Sequence, residues 1–487
     1  MIRLLGALYV LVAVGLALYG VTGLLTLWLF LRHRKEGIPK APRLWPETAP
    51  KVTIQLPVYN EPLVIERLID ATVALDYPGD RLQIQVLDDS SDETTELAGA
   101  RVALHRANGV DIELIHRNER DGYKAGALQA GLALARGEYT AIFDADFIPQ
   151  PQFLHQTIPY FLNTPELGMV QTRWGHLNAD YTALTRAQAI SLDKHFAIEQ
   201  LVRHRADLFP KFNGSGGVWR TACAEAAGGW LADTVCEDLD LSTRAQLDGW
   251  QFLFLLDVIA PAELPPQMTA FKSQQARWAK GSLQCVGKYW RAILGSRRHS
   301  SLGRIYALIS MTGYMAHPLL VSLLLLLPPL LLWGYDFSPL LGWLGIAGVA
   351  QPILFILSQQ ALYADWQKRT LKGLPALALV AVGLAPSNTW SIWEAVSRRR
   401  HEFHRTPKYD LLPQSDGSWA TWSTRGVFRV PFQPLILGEL ALALYALIGV
   451  GVALERGSIG SLPFLLLCAA GFAYTAILSL QDVRHSS

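Results

Sequence analysis

The stretch Tyr139-Thr-Ala-Ile-Phe-Asp-Ala-Asp-Phe-Ile-Pro149 ends a short apolar run with two carboxylates, Asp144 and Asp146, one residue apart. On an extended backbone alternate residues point the same way. Both would then face one spot at the carboxyl end of a strand, where open α/β sheets bind ligands. Two hard oxygen donors suit Mg²⁺ or Mn²⁺, with bound phosphates completing the octahedron. The same pattern also fits a polar strand-to-helix turn, with Asp146 near the cap of a helix from Pro151. Other clusters carry compatible chemistry. Asp88 and Asp89 close an earlier apolar run, and a carboxylate there can accept hydrogen bonds from a nucleotide base. Lys124, among glycines at a helix start, suits a diphosphate. Glu237-Asp238-Leu-Asp240 offers a carboxylate for general-base work. Gln274-Gln-Ala-Arg277-Trp278 joins a fixed cation, able to neutralise a leaving phosphate, to a ring able to stack on a sugar. Taken singly, each also fits a helix cap, a surface ion pair or a membrane-interface aromatic.

Positioning these groups is the task of alternating strands and helices. Residues 52–60 read as a strand, with Asn60-Glu61-Pro62 starting a helix to about Leu75, Asn60 as its cap. Strands follow at 82–87, 111–116 and 139–143, with a helix opening at Gly122 and ending near Gly137. A later strand at 168–173 precedes a long helix over 182–204. This alternation predicts a parallel, doubly wound sheet.

The 487 residues are 51% hydrophobic and 17% charged, with a mean hydropathy of +0.20. That is too apolar for an ordinary soluble enzyme and too charged for a chain embedded throughout, so one soluble domain flanked by membrane segments is expected. A net charge of +2 gives no basis for nucleic-acid binding. The four cysteines show neither metal-ligand spacing nor a disulfide framework, which fits a reducing compartment. Residues 4–31 are long enough to span a bilayer and end in Arg32-His-Arg-Lys35, a positive cluster expected to stay cytoplasmic with the amino terminus outside. Further spans are expected at 305–333, with Pro318, Pro328 and Pro329 as kinks, and at 340–363, 428–454 and 462–480. The basic clusters then all fall on one side if 373–397 is interfacial or re-entrant, giving five crossings and a cytoplasmic carboxyl terminus, with a sixth crossing as the alternative. The expected organisation is an anchor (1–35), an α/β domain with trailing interfacial helices (36–300), and two spans with an interfacial segment (301–397). A cytoplasmic loop (398–427) and two final spans (428–487) complete it. Trp290, Tyr306, Tyr314, Trp333, Trp390 and Trp393 fit either a sugar path or an interfacial belt. His317 fits a groove lining or an interhelical hydrogen bond.

In this order, Val58-Tyr-Asn-Glu61, Gln85-Val-Leu-Asp-Asp-Ser-Ser-Asp92, Gly122-Tyr-Lys-Ala-Gly-Ala-Leu128, Ala141-Ile-Phe-Asp-Ala-Asp-Phe147, Phe212-Asn-Gly-Ser-Gly-Gly-Val-Trp-Arg220, Glu237-Asp-Leu-Asp-Leu241 and Gln274 to Trp278 form a specific set. The chain resembles the family 2 glycosyltransferases of the cellulose synthase type, most closely the cellulose synthase-like A and C branch that makes mannan, glucomannan or glucan backbones. The resemblance covers about residues 50–295, and 395–410 more loosely. It implies a GT-A (Rossmann-like) domain and a role for each matching residue. Asp89 would read the nucleotide base beside Tyr59 and Glu61. Asp144 and Asp146 would hold the metal and diphosphate, with Lys124 on the diphosphate. Asp238 would be the catalytic base. Gln274, Arg277 and Trp278 would hold the acceptor end and leaving diphosphate, and Phe212, Gly214 and Ser215 the acceptor side. Phe403-His-Arg-Thr-Pro-Lys408 resembles a gating loop whose Thr406 and Lys408 reach the phosphates; a plain basic juxtamembrane loop is the other reading.

The implied activity is inverting transfer from UDP-glucose or GDP-mannose into a β-linked polysaccharide, with its translocation, in a bacterial inner membrane. UDP-N-acetylglucosamine, the linkage position and a need for an accessory subunit stay open. The competing readings are a transferase adding one sugar to a lipid and a non-catalytic export subunit.

Overall fold

The computed structural model describes residues 1–37, 49–335, 347–397, 406–413 and 431–486, with 337, 345 and 419 as isolated positions. Seven strands form its sheet: β1 (Val52–Val58), β2 (Leu82–Asp88), β3 (Ile112–His116), β4 (Tyr139–Ile142), β5 (Leu167–His176), β6 (Gly217–Arg220) and β7 (Gln251–Ala262). Their order is β3-β2-β1-β4-β6-β5-β7. The half from β3 to β4 is parallel, as expected, but β6 runs antiparallel to both β4 and β5. The sheet is therefore mixed, with a GT-A-like core. β1 and β2 are buried almost throughout, although apolar residues alternate in them with Thr53, Gln55, Gln83 and Gln85, which hydrogen-bond one another between the two strands.

The helices of this part are α2 (Ile65–Val73), α3 (Thr94–Ala107), α4 (Tyr123–Leu134), α5 (Phe153–Thr157), α6 (Pro159–Leu162), α7 (Ala183–Lys194), α8 (Leu201–Arg205), α9 (Thr221–Ala226) and α10 (Glu237–Leu247). A π-helical turn, His195–Gln200, joins α7 to α8, so the helix expected over 182–204 is continuous but locally widened. Thr182 caps it with a reciprocal Thr185 pairing. Asn60 is not a cap, contrary to expectation. It sits at φ +52, and its side-chain oxygen accepts from Ser91 N at 2.8 Å, which ties the end of β1 to the loop after β2.

Helix α11 (Met268–Gly295) leads from the sheet to the apolar part. There lie α1 (Ile2–His33), α12 (Ser301–Met311), α13 (Ala316–Leu332), α14 (Ala350–Leu362), α15 (Trp366–Gly383), α16 (Ala385–Val396), α17 (Leu435–Glu455) and α18 (Leu462–Ser486). Among the described residues five helical stretches are long and apolar enough to cross a membrane: Ile2–His33, Gly313–Leu332, Trp366–Val396, Leu435–Glu455 and Ile459–Arg484. Four of them fall on expected spans and the fifth does not, and one of the four is interrupted. The run 305–333 is broken at Thr312 by a 3-10 turn, Gly313–Met315. The break falls before Pro318, which occupies the first turn of α13, where proline is tolerated. And 366–396 has spanning length, whereas only Ala350–Leu362 is described as helix within 340–363. The α15–α16 pair is nevertheless the most buried of the five, at 56%. Gly373 abuts Ile190 of α7, and Gly383 abuts Thr475 of α18. Asn388 hydrogen-bonds His317 at 3.1 Å.

Candidate active site

Asp144 and Asp146 leave the sheet differently from the extended geometry expected. β4 stops at Ile142, and Phe147 N donates to Asp144 O at 3.0 Å, closing a turn over Asp144 to Phe147. The turn still presents both side chains to one cavity of about 210 Å³. Ser215 Oγ accepts from Asp144 N at 2.9 Å and fixes the turn. Expected at the acceptor, Ser215 is instead fully buried, with its carbonyl taken by Trp174 and Gln171. It supports Asp144 and does not reach the cavity. Phe212 is buried, edge-on to Trp219 at 5.5 Å, and contributes to the wall of the second cavity described below. Gly214 lies at φ +85, and a Cβ there would stand 3.2 Å from Asp238 Oδ2 and 3.4 Å from Lys124 Nζ. A side chain at this position would crowd both groups.

The acids and bases converge from six elements. Lys124, in the first turn of α4, places Nζ 2.7 Å from Asp144 Oδ1 and 3.4 Å from Glu237 Oε1, and donates to Gly214 O at 3.0 Å. Burial works against its charge, but Asp144 and Glu237 outweigh it and hold the ammonium above its ordinary range. Asp238, at the start of α10, feels the reverse. Burial first and Glu237 second push its carboxyl up to about 7, against the pull of Lys124 and of Leu239 N–H. From α11, Arg277 Nη2 donates to Thr406 Oγ1 at 3.0 Å, which places the loop bearing Thr406 in the cavity wall. Lys408 Nζ reaches Asp146 Oδ1 at 3.0 Å and Glu61 Oε1 at 3.3 Å. Phe403 to Arg405 lie outside the described residues.

Asp89 lines the same cavity at the end of β2, with Tyr59 and Glu61 beside it. Two arginines that the sequence did not single out hold this end. Arg117 grips both oxygens of Asp89, Nε at 2.7 Å and Nη2 at 2.6 Å. The Arg120 guanidinium stacks 3.3 Å from the Tyr59 ring centroid. Both sit in the loop after β3, and its two basic residues just ahead of Gly122 are the one signal that could have marked them. A third residue that sequence reasoning missed is Glu263, at the end of β7. It is 6% exposed, and its carboxylate accepts Tyr409 N at 2.8 Å and Leu411 N at 3.3 Å.

Asp144 and Asp146 fit a hard divalent ion by donor type and by facing one cavity. No group of three or more His, Cys, Asp or Glu placed to hold a metal occurs among the described residues. Ligands beyond these two would have to come from phosphate and water, as is usual for Mg²⁺.

A second cavity, of about 410 Å³, adjoins the first. Asp238, Gln274, Trp278, Asn213 and Trp174 border both. It runs to Tyr314 and His317 at the start of the apolar part. A third, of about 760 Å³, lies among α1, α12, α13 and α14 and shares Lys194, Glu199, Arg203, Ser310 and Gly313 with the second. Of the aromatic residues singled out above, Tyr314 and Tyr306 line these cavities. Trp290, Trp333, Trp390 and Trp393 are 43–48% exposed, as an interfacial belt requires.

Residues 50–281 match the family model described as "Glycosyltransferase like family 2". The chain is 41% identical over 282 residues to probable glucomannan 4-beta-mannosyltransferase 10 of Arabidopsis thaliana, covering 57% of this chain and 51% of that one. It is 36% identical over 346 residues to probable glucomannan 4-beta-mannosyltransferase 9 of Oryza sativa subsp. japonica, covering 67% and 66%. In general the chain spans about half the length of the curated relatives it matches. Among solved structures, the mannosyltransferase PcManGT of Pyrobaculum calidifontis, in complex with GDP-Man and Mn²⁺, is similar in fold. Its TM-score is 0.56 at 20% identity, over 80% of this chain and 99% of that one.

Proposed function

We propose, for a chain that belongs to the family 2 glycosyltransferases, direct inverting transfer of mannose from GDP-mannose to the end of a β-linked mannan- or glucomannan-type glycan. The observation that carries the reading is the place of Asp238, on the border between the cavity of Asp144, Lys124 and Arg277 and the cavity leading to the membrane. The mannosyl relatives favour GDP-mannose over UDP-glucose. The donor's base lies against Asp89 and Tyr59, and its diphosphate lies towards Lys124 and Arg277. Asp238 takes the proton of the acceptor hydroxyl as that oxygen attacks the anomeric carbon. The bond from that carbon to the diphosphate breaks on the opposite face, and its electron pair leaves with the phosphate. Lys124 and Arg277 meet the charge developing there. A divalent ion on Asp144 and Asp146 would add Lewis-acid stabilisation of the same oxygens. Lys408, which neutralises Asp146 and Glu61, turns to the phosphates once the donor is in place. The first cavity, at about 210 Å³, is below the ~300–1,000 Å³ of typical ligand clefts, so donor entry shifts the Thr406–Lys408 loop.

The sheet domain faces the cytoplasm, where sugar nucleotides are made, and the joined second and third cavities guide the product through the membrane. Purified protein given radiolabelled GDP-mannose or UDP-glucose with Mn²⁺ should release GDP and yield a mannanase-sensitive polymer. Asp238→Asn should lower turnover by about 10²–10⁴-fold, the usual worth of a general base, and leave donor binding nearly intact. Near-wild-type turnover would remove Asp238 from this role. One observation favours a second reading: the wall of the third cavity includes Leu16, Leu320, Leu323, Leu327 and Phe464, an apolar stretch that suits the tail of a lipid acceptor. A single labelled glycolipid in place of polymer would decide for it.

A further inference from the structure

Helix α11 carries Gln274, Arg277 and Trp278, so the axial and rotational setting of this helix determines where those groups stand. Its own start does little to fix it: Gln267, the residue before it, supplies no side-chain cap. The missing acceptor comes from the last helix of the chain. Asp482, on α18, accepts from Thr269 N at 2.9 Å and Thr269 Oγ1 at 3.0 Å. A carboxylate there satisfies an otherwise orphaned N–H and opposes the positive end of the helix dipole. One turn on, Lys272 Nζ lies 2.6 Å from Glu439 Oε1 of α17, donates to Oε2 at 2.7 Å, and donates to Ser479 Oγ of α18 at 2.8 Å. Lys272 is 4% exposed and Glu439 0%.

A buried ion pair gives little net stability, because desolvating both ions offsets their attraction, and an apolar pair of similar volume would serve stability as well. What it adds is direction. An apolar contact tolerates a sliding helix; an ion pair and two hydrogen bonds donated by one ammonium to two different helices do not. Residues along a helix advance 1.5 Å each, and a misplacement of about 1 Å at a reacting group can cost ~10²-fold in rate. We propose that Lys272, Glu439 and Asp482 are positioning residues, through which the α17–α18 pair sets the register of α11 and aims Arg277 and Trp278 into the reaction. α17 and α18 lie outside the segment matched by the family model, 50–281. The inference rests on the transfer proposed above for the role of Arg277, but not on which sugar is transferred.

The test uses the full-length membrane protein. Lys272→Met/Glu439→Leu removes the tie without leaving an unpaired charge, and Lys272→Glu/Glu439→Lys reverses it. Turnover is followed with whichever sugar nucleotide the unaltered protein hydrolyses or transfers, and binding of that donor is measured in parallel. The apolar pair should keep its Tm and bind donor within about threefold of wild type, yet lose tenfold or more in kcat. The reversed pair should recover a large part of that loss. Wild-type kcat in the folded apolar variant overturns the proposal. So does loss of donor binding and Tm together with kcat, which would make the tie a purely structural one. Amide exchange in residues 269–280 gives a readout independent of activity, and it should quicken in the apolar variant. If the unaltered protein turns over no sugar nucleotide, the proposed transfer has failed, and unchanged exchange would still overturn the tie separately.

Discussion

At the scale of single residues, the environment of Asp238 decides at what pH the site can work. As the proposed general base Asp238 must be ionised, and burial with the adjacent Glu237 carboxylate pushes its carboxyl up to about 7. Activity should therefore rise with pH. kcat/KM is expected to climb about tenfold per unit below 7 and to level off above it. Removing the neighbouring charge lowers the cost of ionising Asp238, so Glu237→Gln should shift the limb to lower pH and keep a larger share of its plateau at pH 6. Pairing Lys124 with one carboxylate fewer is expected to reduce the plateau itself. A profile flat from pH 5 to 8, or a limb that moves upward in Glu237→Gln, would assign the proton to another group. Asp238 itself was legible in the sequence because its motif travels in order with the others. Arg117, which fixes Asp89, was not, because a guanidinium near a carboxylate 28 positions away leaves no local pattern.

At the scale of elements, the loop from Thr406 to Pro413 is held by the end of β7. Glu263 takes two of its backbone N–H groups, Arg67 reaches Asp410 at 2.6 Å, and Tyr409 bonds Gln267. Asp410, at φ +58, bends the backbone so that both N–H groups can meet one carboxylate. Removing the carboxylate leaves those donors without acceptors, a loss of about 1–3 kcal/mol, and frees the loop that carries Lys408. Glu263→Ala should raise the donor KM about tenfold with a smaller effect on kcat, as measured by nucleotide release at varied donor. An unchanged KM would mean that the loop closes on the donor by other contacts. β1 and β2 could be read in advance because Val52, Ile54, Leu56 and Leu82, Ile84, Val86 recur with the period of a strand; the turn after β4 was only the second of two readings of Asp144-Ala-Asp146. β6 could not: it is four residues long, Gly217–Arg220, and lies inside a stretch that reads as a loop. The setting of α11 was equally hidden, since the partners of Lys272 and Thr269 lie 167 and 213 positions away.

At the scale of the whole molecule, those same long-range contacts fix which helix ends share a side. Arg205 donates to the carbonyl of His33 at 2.8 Å, so α1 ends beside the sheet domain. Glu439 and Asp482, near the start of α17 and the end of α18, bind Lys272 and Thr269 and lie there too. At the opposite side Gly6 meets Tyr335, and Arg456 donates to Leu332 O at 2.6 Å, so α13 and α17 end together. Gln351 stands against Gly23 of α1, so α14 begins beside the half of α1 that lies nearer the sheet domain. A full crossing by α15 and α16 would then start α17 on the far side and pull Glu439 away from Lys272. The pair should therefore enter and leave on the sheet-domain side, although its length and hydropathy would permit a crossing. All four native cysteines are buried, so single introduced cysteines can be read against a low background. In sealed right-side-out vesicles an impermeant maleimide should label Ile459→Cys, and should reach Ser397→Cys only after permeabilisation. Labelling of Ser397→Cys in intact vesicles would mean that α15 and α16 do cross, and the tie between α11 and the last two helices would then have no geometry in which to form.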